Sequence, residues 1–431
     1  MNTDSAKRLS CALVLALLLT AACDQKPEQN TGQTGTPETT QAPATDVNGL
    51  FPVGDKDYFV PFSDPDHSYC TITEGFGTPL REQGAGGCYS YASVSAMQSN
   101  YIKEHGELID LNPVDLIYRI YETPKTDDDG NPIYDEEKYY VTGANLTDLG
   151  GGADQITGVL CADSLNGYLI SEHNIIGSYN CEVNAVHTAS EEEVKDAIRS
   201  YGAIGLTVNY TKGCKMINGY FTQNYQDNAT DTNHVSVIIG WDDDFPAECF
   251  QTPATRNGAW LVQNSFGEYW GNMGYYWVSF DMPIPALFTL SVTGEYSSGI
   301  SYGKFSELYL PSSDLFALGT QNADISEADF GKINTCNSVT SATVYDKSGT
   351  IGAIGIWTVL PGQSYEIEVL EGEFGKVKTT LAGSFEHAGY HTVKLEKPLK
   401  VKKFTVVVKT PGIGCFEGGP FDFKVSSITT K

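Results

Sequence analysis

The chain has 431 residues, 41% of them hydrophobic and 25 of them Tyr, which gives it the length for two or three domains with proper cores. Asp and Glu number 54 against 27 Lys and Arg, for a formal net charge of −27. That field repels nucleic acid and anionic lipid and argues against both as partners, but it names no substrate.

Residues 1–23 read as an export address rather than as part of the fold. Lys7 and Arg8 form a short basic region, and an apolar run from Leu9 to Ala22 is broken only by Ser10 and Thr20. The run is short for a bilayer span and suits a secretory signal. It ends Leu19-Thr20-Ala21-Ala22-Cys23, which resembles the bacterial lipobox, with Thr20 where the commonest form has Leu. The resemblance implies lipidation of Cys23; the alternative is an ordinary signal cut near Ala22. Either way the chain is exported, and the lipid would hold it at the outer face of the bacterial membrane or at the cell surface. Asp24 resembles an inner-membrane retention signal, although the envelope is unknown. From Asp24 to Asn48 the composition is Gln, Thr, Pro, Glu and Gly, with too little apolar surface to offset ordering, so residues 24–48 are expected to be a disordered tether.

The next informative stretch is Arg81-Glu82-Gln83-Gly84-Ala85-Gly86-Gly87-Cys88-Tyr89-Ser90-Tyr91-Ala92. The residues after Cys88 suit a helix, with small Ala92, Ser95, Ala96 and Ser99 and apolar Val94, Met97 and Ile102. A cysteine heading a helix sits at the positive end of its dipole, where thiolate is favoured over thiol. Downstream, Val235 to Gly240 is an apolar run that reads as a buried strand with His234 at its mouth. Gly258-Ala259-Trp260-Leu261-Val262-Gln263-Asn264 reads as a second strand, followed by an aromatic turn and a third strand from Gly274. If the first two are antiparallel, Asn264 lies beside His234. Its amide oxygen then accepts one ring proton and leaves the other ring nitrogen toward Cys88.

These three motifs, in this order, resemble the papain family of cysteine peptidases. The resemblance implies that Cys88 is the nucleophile, His234 the base and Asn264 the orienter. It also implies that Gln83 and the backbone N–H of Cys88 stabilise the oxyanion. Gly150-Gly151-Gly152 resembles the glycine stretch that lines the family's substrate groove, a plain loop being the alternative. The chain departs from the pattern in several places: Gln83 and Cys88 are five apart where six is usual, and Ala85 stands where many members carry a disulfide cysteine. Tyr89 replaces the common Trp. Phe266 replaces the Trp that shields the orienting Asn, so a wetter, weaker His234–Asn264 bond is expected. About 40 residues separate the tether from Cys88, so the long inhibitory prosegment of many relatives is not expected.

The spacings hold no zinc-type cysteine or histidine cluster, and no cofactor or metal is expected. Lys125 stands where a calcium loop around Gly130 needs an acidic first ligand, so a polar hairpin between Tyr118–Thr123 and Tyr134–Val141 is expected instead. Asp242 to Asp244 reads as a solvated turn, and the remaining histidines read as surface or hydrogen-bonded structural residues. Setting aside Cys11, Cys23 and Cys88, Cys336 and Cys415 are the natural disulfide pair, and the odd five that remain leave at least one free.

From about Pro285 short β-type segments recur with turns between them, as in a sandwich. Phe385-Glu386-His387-Ala388-Gly389-Tyr390 and Lys403-Phe404-Thr405-Val406-Val407 resemble the lectin-like domain of some bacterial papain relatives. The expected organisation is signal 1–23, tether 24–48, an α+β two-lobed papain-like domain 49–284 and a β-sandwich 285–431. The resemblance implies thiol peptidase activity on peptide or protein substrates, with glycans as further partners of the C-terminal domain. Two alternatives stay open: an inactive scaffold that binds surface glycans or proteins, and a different acyl transfer such as amidase or transglutaminase-like chemistry.

Overall fold

A computed structural model describes residues 44–45, 52–53, 66–83, 86–124, 139–141, 152–161, 164–181, 187–226, 232–296, 298–299, 338–346, 348–358, 361–411, 415–416, 419–420 and 425–430. Cys23, Gly150, Gly151 and Cys336 lie outside the described residues, and Cys415 is described in its backbone only.

The first part of the chain holds β1 (Ser68–Cys70), α1 (Cys88–His105), α2 (Pro113–Tyr121), α3 (Ala153–Leu160), β2 (Leu169–Tyr179), α4 (Glu191–Tyr201) and β3 (Ile204–Val208). It continues with β4 (Cys214–Ile217), β5 (Tyr220–Gln223), β6 (His234–Asp242), β7 (Ala259–Gln263), β8 (Tyr275–Ser279) and β9 (Ile284–Thr293). The last part is β only: β10 (Ser338–Tyr345), β11 (Gly349–Thr358), β12 (Gln363–Glu371), β13 (Val377–Phe385), β14 (Ala388–Val401), β15 (Phe404–Pro411) and β16 (Val425–Thr430).

The helix headed by Cys88 and the three strands expected around His234 and Asn264 all form. Strand β6 is buried along its whole length and is flanked by β3 and β7, so its side chains alternate between two cores. Val235, Val237 and Ile239 face the core under α1, which also takes in Leu116, Ile156, Leu261 and Trp277. Ile238 and Trp241 belong to the opposite core with Val194 and Ile198 of α4, Trp260 and Val262. Helices on one side and α4 on the other therefore clamp the strand that carries His234.

Two expectations are corrected. The expected strand Tyr118–Thr123 is helical up to Tyr121, because Leu116, Ile117 and Ile120 recur at helical spacing and bury against the α1 core. Only Glu122–Pro124 pairs, antiparallel, with Tyr139–Val141. Nor is Asp242 a solvated residue: it ends β6 buried, its carboxyl pushed up to about 6, chiefly by burial. Asp243 beside it pairs with the Lys195 ammonium at 2.7 Å.

The C-terminal strands form two sheets around a core of Ile354, Ile356, Ile367, Val369, Phe404 and Val406. The smaller sheet runs β10-β15-β12-β13. In the other, β14 continues into the first part of the molecule. Ala388–His391 pairs antiparallel with Ile175–Glu172 of β2, so one sheet passes without a break from β16, β11 and β14 into β2, β9, β3, β6, β7 and β8. Gly389 makes this seam possible. Its φ is +126°, and a Cβ there would lie 1.9 Å from the His173 carbonyl oxygen.

Candidate active site

Cys88 is the first residue of α1, after Gly87. No side chain caps this end and no acidic residue lies in the first turn, so nothing offsets the positive end of the helix dipole beside the sulfur. A Cβ on Gly87 would come within 2.4 Å of Ile117 Cδ1 on α2, the end of a side chain that can move aside. Cys88 is fully buried. Cys70, Cys161, Cys181, Cys214 and Cys249 are all free, where the sequence required only one of the five to be so.

Antiparallel pairing of β6 with β7 sets Val237 opposite Gln263, and the next residue, Asn264, comes beside the start of β6. His234 Nε2 donates to Asn264 Oδ1 at 2.7 Å, in a site where both side chains are buried. The amide oxygen also accepts from Ser265 N–H at 2.8 Å and from the Ser236 hydroxyl, on the same face of β6, at 3.4 Å. A donor role for Nε2 makes Nδ1 the acceptor of the neutral imidazole, on the other side of the ring. Burial lowers the His234 pKa to about 4, and the bond to Asn264 pulls it partly back.

Several aromatic rings stand around this bond. Phe266 lies 4.9 Å from the His234 ring, while Tyr210 stands 5.6 Å from His234 and 5.1 Å from Phe266. Trp270 packs edge-on against Phe266 at 5.4 Å, and its Nε1–H donates to the Tyr210 hydroxyl at 3.3 Å. Three rings thus stand where one larger ring was expected. No sequence pattern pointed to Tyr210, which arrives from the loop after β3.

Gln83 is brought to the same corner. Its N–H donates to Ser265 O at 2.8 Å and its Oε1 accepts from Ser265 Oγ at 2.6 Å. Gly152 has extended backbone at the start of α3, and its N–H donates to the Gln155 side chain. The two other buried histidines stand elsewhere. His173 contacts the Thr157 hydroxyl at 3.0 Å and Asp154 at 3.4 Å, while His391 contacts the Thr358 hydroxyl at 3.1 Å and stacks on Phe385. Among the described residues there is no group of three or more His, Cys, Asp or Glu suited to a metal ion.

The papain family cysteine protease profile matches residues 170–284, and the lectin like domain profile matches residues 328–416. The first stretch is similar to papain family cysteine proteases and the second to lectin-like domains. Cathepsin K of Mus musculus is 24% identical over 222 residues, 47% of this chain and 56% of that protein. Viral cathepsin of Lymantria dispar multicapsid nuclear polyhedrosis virus is 24% identical over 206 residues, 46% of this chain and 50% of that protein. The chain thus spans about half the length of these relatives. The clostridial cysteine protease Cwp84 after propeptide cleavage superposes with a TM-score of 0.57 at 19% identity, over 80% of this chain and 84% of that one. The cysteine protease and lectin-like domains of Cwp84, a surface layer associated protein of Clostridium difficile, superpose at 0.56 with 18% identity, over 80% and 75%. The fold is α+β and papain-like, followed by a lectin-like β domain.

Proposed function

We propose that the protein is an exported cysteine peptidase that hydrolyses peptide bonds through a thioester on Cys88. The observation that carries this reading is the buried 2.7 Å bond from His234 Nε2 to Asn264 Oδ1, which holds the imidazole in one tautomer. Reaction starts from reduced Cys88. His234 Nδ1 takes the thiol proton, the thiolate attacks the carbonyl, and the oxyanion is met by the backbone N–H of Cys88 and the Gln83 amide. His234 then protonates the leaving amine and activates the water that releases the acyl group. Gly150, Gly151 and Gly152 would line the groove for an extended peptide. The peptidase and sandwich parts are assigned to 49–284 and 285–431, with β9 continuing the peptidase sheet through Thr293.

The leader and tether, with Cys23 as the lipidated residue, would anchor the enzyme at the outer face of the membrane or at the cell surface. The surface-layer association of Cwp84 accords with that location. A Cys336–Cys415 disulfide and glycan binding belong to the same reading of the C-terminal part. The test uses reduced residues 49–431 with an epoxide probe for activated thiols and a quenched peptide library. Labelling and cleavage that vanish in Cys88→Ala and His234→Ala are expected. Folded, reduced protein that neither labels nor cleaves would overturn the reading in favour of a binding scaffold.

A further inference from the structure

Between Val235 and Gly240 the strand that carries His234 is apolar but for one residue, Ser236, and that residue is buried. A buried hydroxyl must find a partner or cost stability, a demand that an apolar side chain of similar size does not make. The register shows what Ser236 meets. The pairing that sets Ile238 opposite Val262 and Val237 opposite Gln263 leads on to Ser236 opposite Asn264, and Val262 lies opposite Tyr276 on β8. His234, Ser236 and Ile238 share one face of β6, so hydroxyl, amide and phenol gather on the side that carries the imidazole. The Ser236 hydroxyl donates to Asn264 Oδ1 at 3.4 Å, beside His234 Nε2 at 2.7 Å and Ser265 N–H at 2.8 Å. All three donors thus converge on the amide oxygen, while the buried Asn264 Nδ2 has no partner among the described residues. The Tyr276 hydroxyl is buried too, facing Ser236 but with no partner at full hydrogen-bond geometry among the described residues.

We infer that Ser236 is a positioning residue that, through Asn264, keeps the His234 proton on Nε2, with the Tyr276 hydroxyl behind it setting the direction of its own. The inference rests on the peptidase reading above. A primary amide carries oxygen on one branch and NH2 on the other. With the oxygen toward the ring, Nε2 holds the proton and Nδ1 is left as the acceptor for the thiol proton. Turned over, the amide would donate to Nε2, drive the ring proton to Nδ1 and remove the base. A serine hydroxyl alone suits either orientation, since it both donates and accepts. Burial keeps the Tyr276 phenol protonated, and its proton has Ser236 Oγ to go to, which leaves the serine proton for Asn264 Oδ1. At 3.4 Å the serine bond is long, so its share is smaller than that of Ser265 N–H. It is the one of the two that a substitution can remove.

The test compares wild type, Ser236→Ala, Ser236→Thr, Tyr276→Phe, Asn264→Ala and the Ser236→Ala/Asn264→Ala double variant, all reduced, in peptide hydrolysis. In parallel, nitrogen NMR of histidine-labelled protein reads the His234 tautomer on a Cys88→Ser background, where no thiolate pairs with the ring. Ser236→Ala is expected to lower kcat about threefold to tenfold with KM little changed, the size of one modest hydrogen bond. Its neutral ring should be protonated in part on Nδ1, where the parent carries the proton on Nε2 alone. Ser236→Thr should recover most of the loss, and Tyr276→Phe should show a smaller loss in the same direction. The double variant should be no slower than Asn264→Ala. Should the alanine variant fail to fold, Ser236→Thr and Ser236→Val, alike in shape, read the same hydroxyl. An active wild type overturns the inference and leaves the peptidase reading standing if Ser236→Ala keeps its kcat, keeps the Nε2 tautomer undivided, or adds its loss to that of Asn264→Ala. A wild type that neither alkylates at Cys88 nor cleaves overturns both.

Discussion

Two seams in the same sheet are built on different principles. Between β6 and β7 the pairing is interior, flanked on both faces by aliphatic and aromatic side chains, and it delivers His234 to Asn264. Between β2 and β14 only four residues on each side pair, and the side chains there include His173, Asn174 and His391, all buried. The first seam has its register set by packing, because a slip of one residue would exchange the side chains that fill the two cores. The second depends on a glycine at a single position and on polar groups that find partners. It also lends Tyr390, from the lectin-like part, to the core beneath α1. The candidate site therefore sits on the seam packed by two apolar cores, and the junction with the C-terminal part on the shorter, more polar one.

Several measurements would break or sharpen this contrast. The largest effect is expected at the first seam. His234→Ala should lower kcat/KM by about 10³-fold or more while the thermal transition shifts little, as expected for loss of a base without loss of the core. At the second seam Gly389→Ala should destabilise by about 2–4 kcal/mol, because the new Cβ meets backbone and the φ is unfavourable. Urea unfolding should then separate into two transitions, and a single unchanged transition would contradict the proposed weakness.

Acid should also find the second seam. Burial holds His173 near 3 and His391 near 4, and the charge of His391 lowers His173 further. Both lie below the ordinary 6.5, so the unfolded chain binds protons that the folded chain refuses. Stability is full above about pH 6.5 and falls as pH drops toward 4. His391→Asn should flatten that dependence in melting curves taken between pH 7 and 4.5, although His234, also lowered to about 4, will keep part of it. A smaller effect is expected at the aromatic shield, where Tyr210→Ala should lower kcat about tenfold by wetting the His234–Asn264 bond. At the surface, Glu373→Ala, which removes the exposed partner of Lys403, should leave the melting temperature unchanged within error.

Much of the first seam was legible beforehand. Val235 to Ile239 is an unbroken apolar run, and Ala259 to Val262 is another, each bounded by turn residues, so buried strands followed directly. Helix α1 was readable from its small and apolar spacing. The second seam was not legible in this way. Gly389 and His391 were quoted as part of a resemblance, but nothing local says that a glycine will face a carbonyl from residue 173. The same limit explains Tyr210 and Gln83, whose partners are more than 20 and more than 180 residues away.

The amino-acid sequence alone determined the helix that begins at Cys88, the strands around His234 and Asn264, and that a β-rich part follows an α+β one. Those features depend on local periodicity and on residue chemistry, which a linear string carries in full. Only the tertiary structure decided that one sheet runs through both domains and that Tyr210 and Trp270 join Phe266 around the His234–Asn264 pair. It alone brought the Ser265 hydroxyl against Gln83. Each of these is a contact between distant segments, and its geometry exists only once hydrophobic burial has brought those segments together.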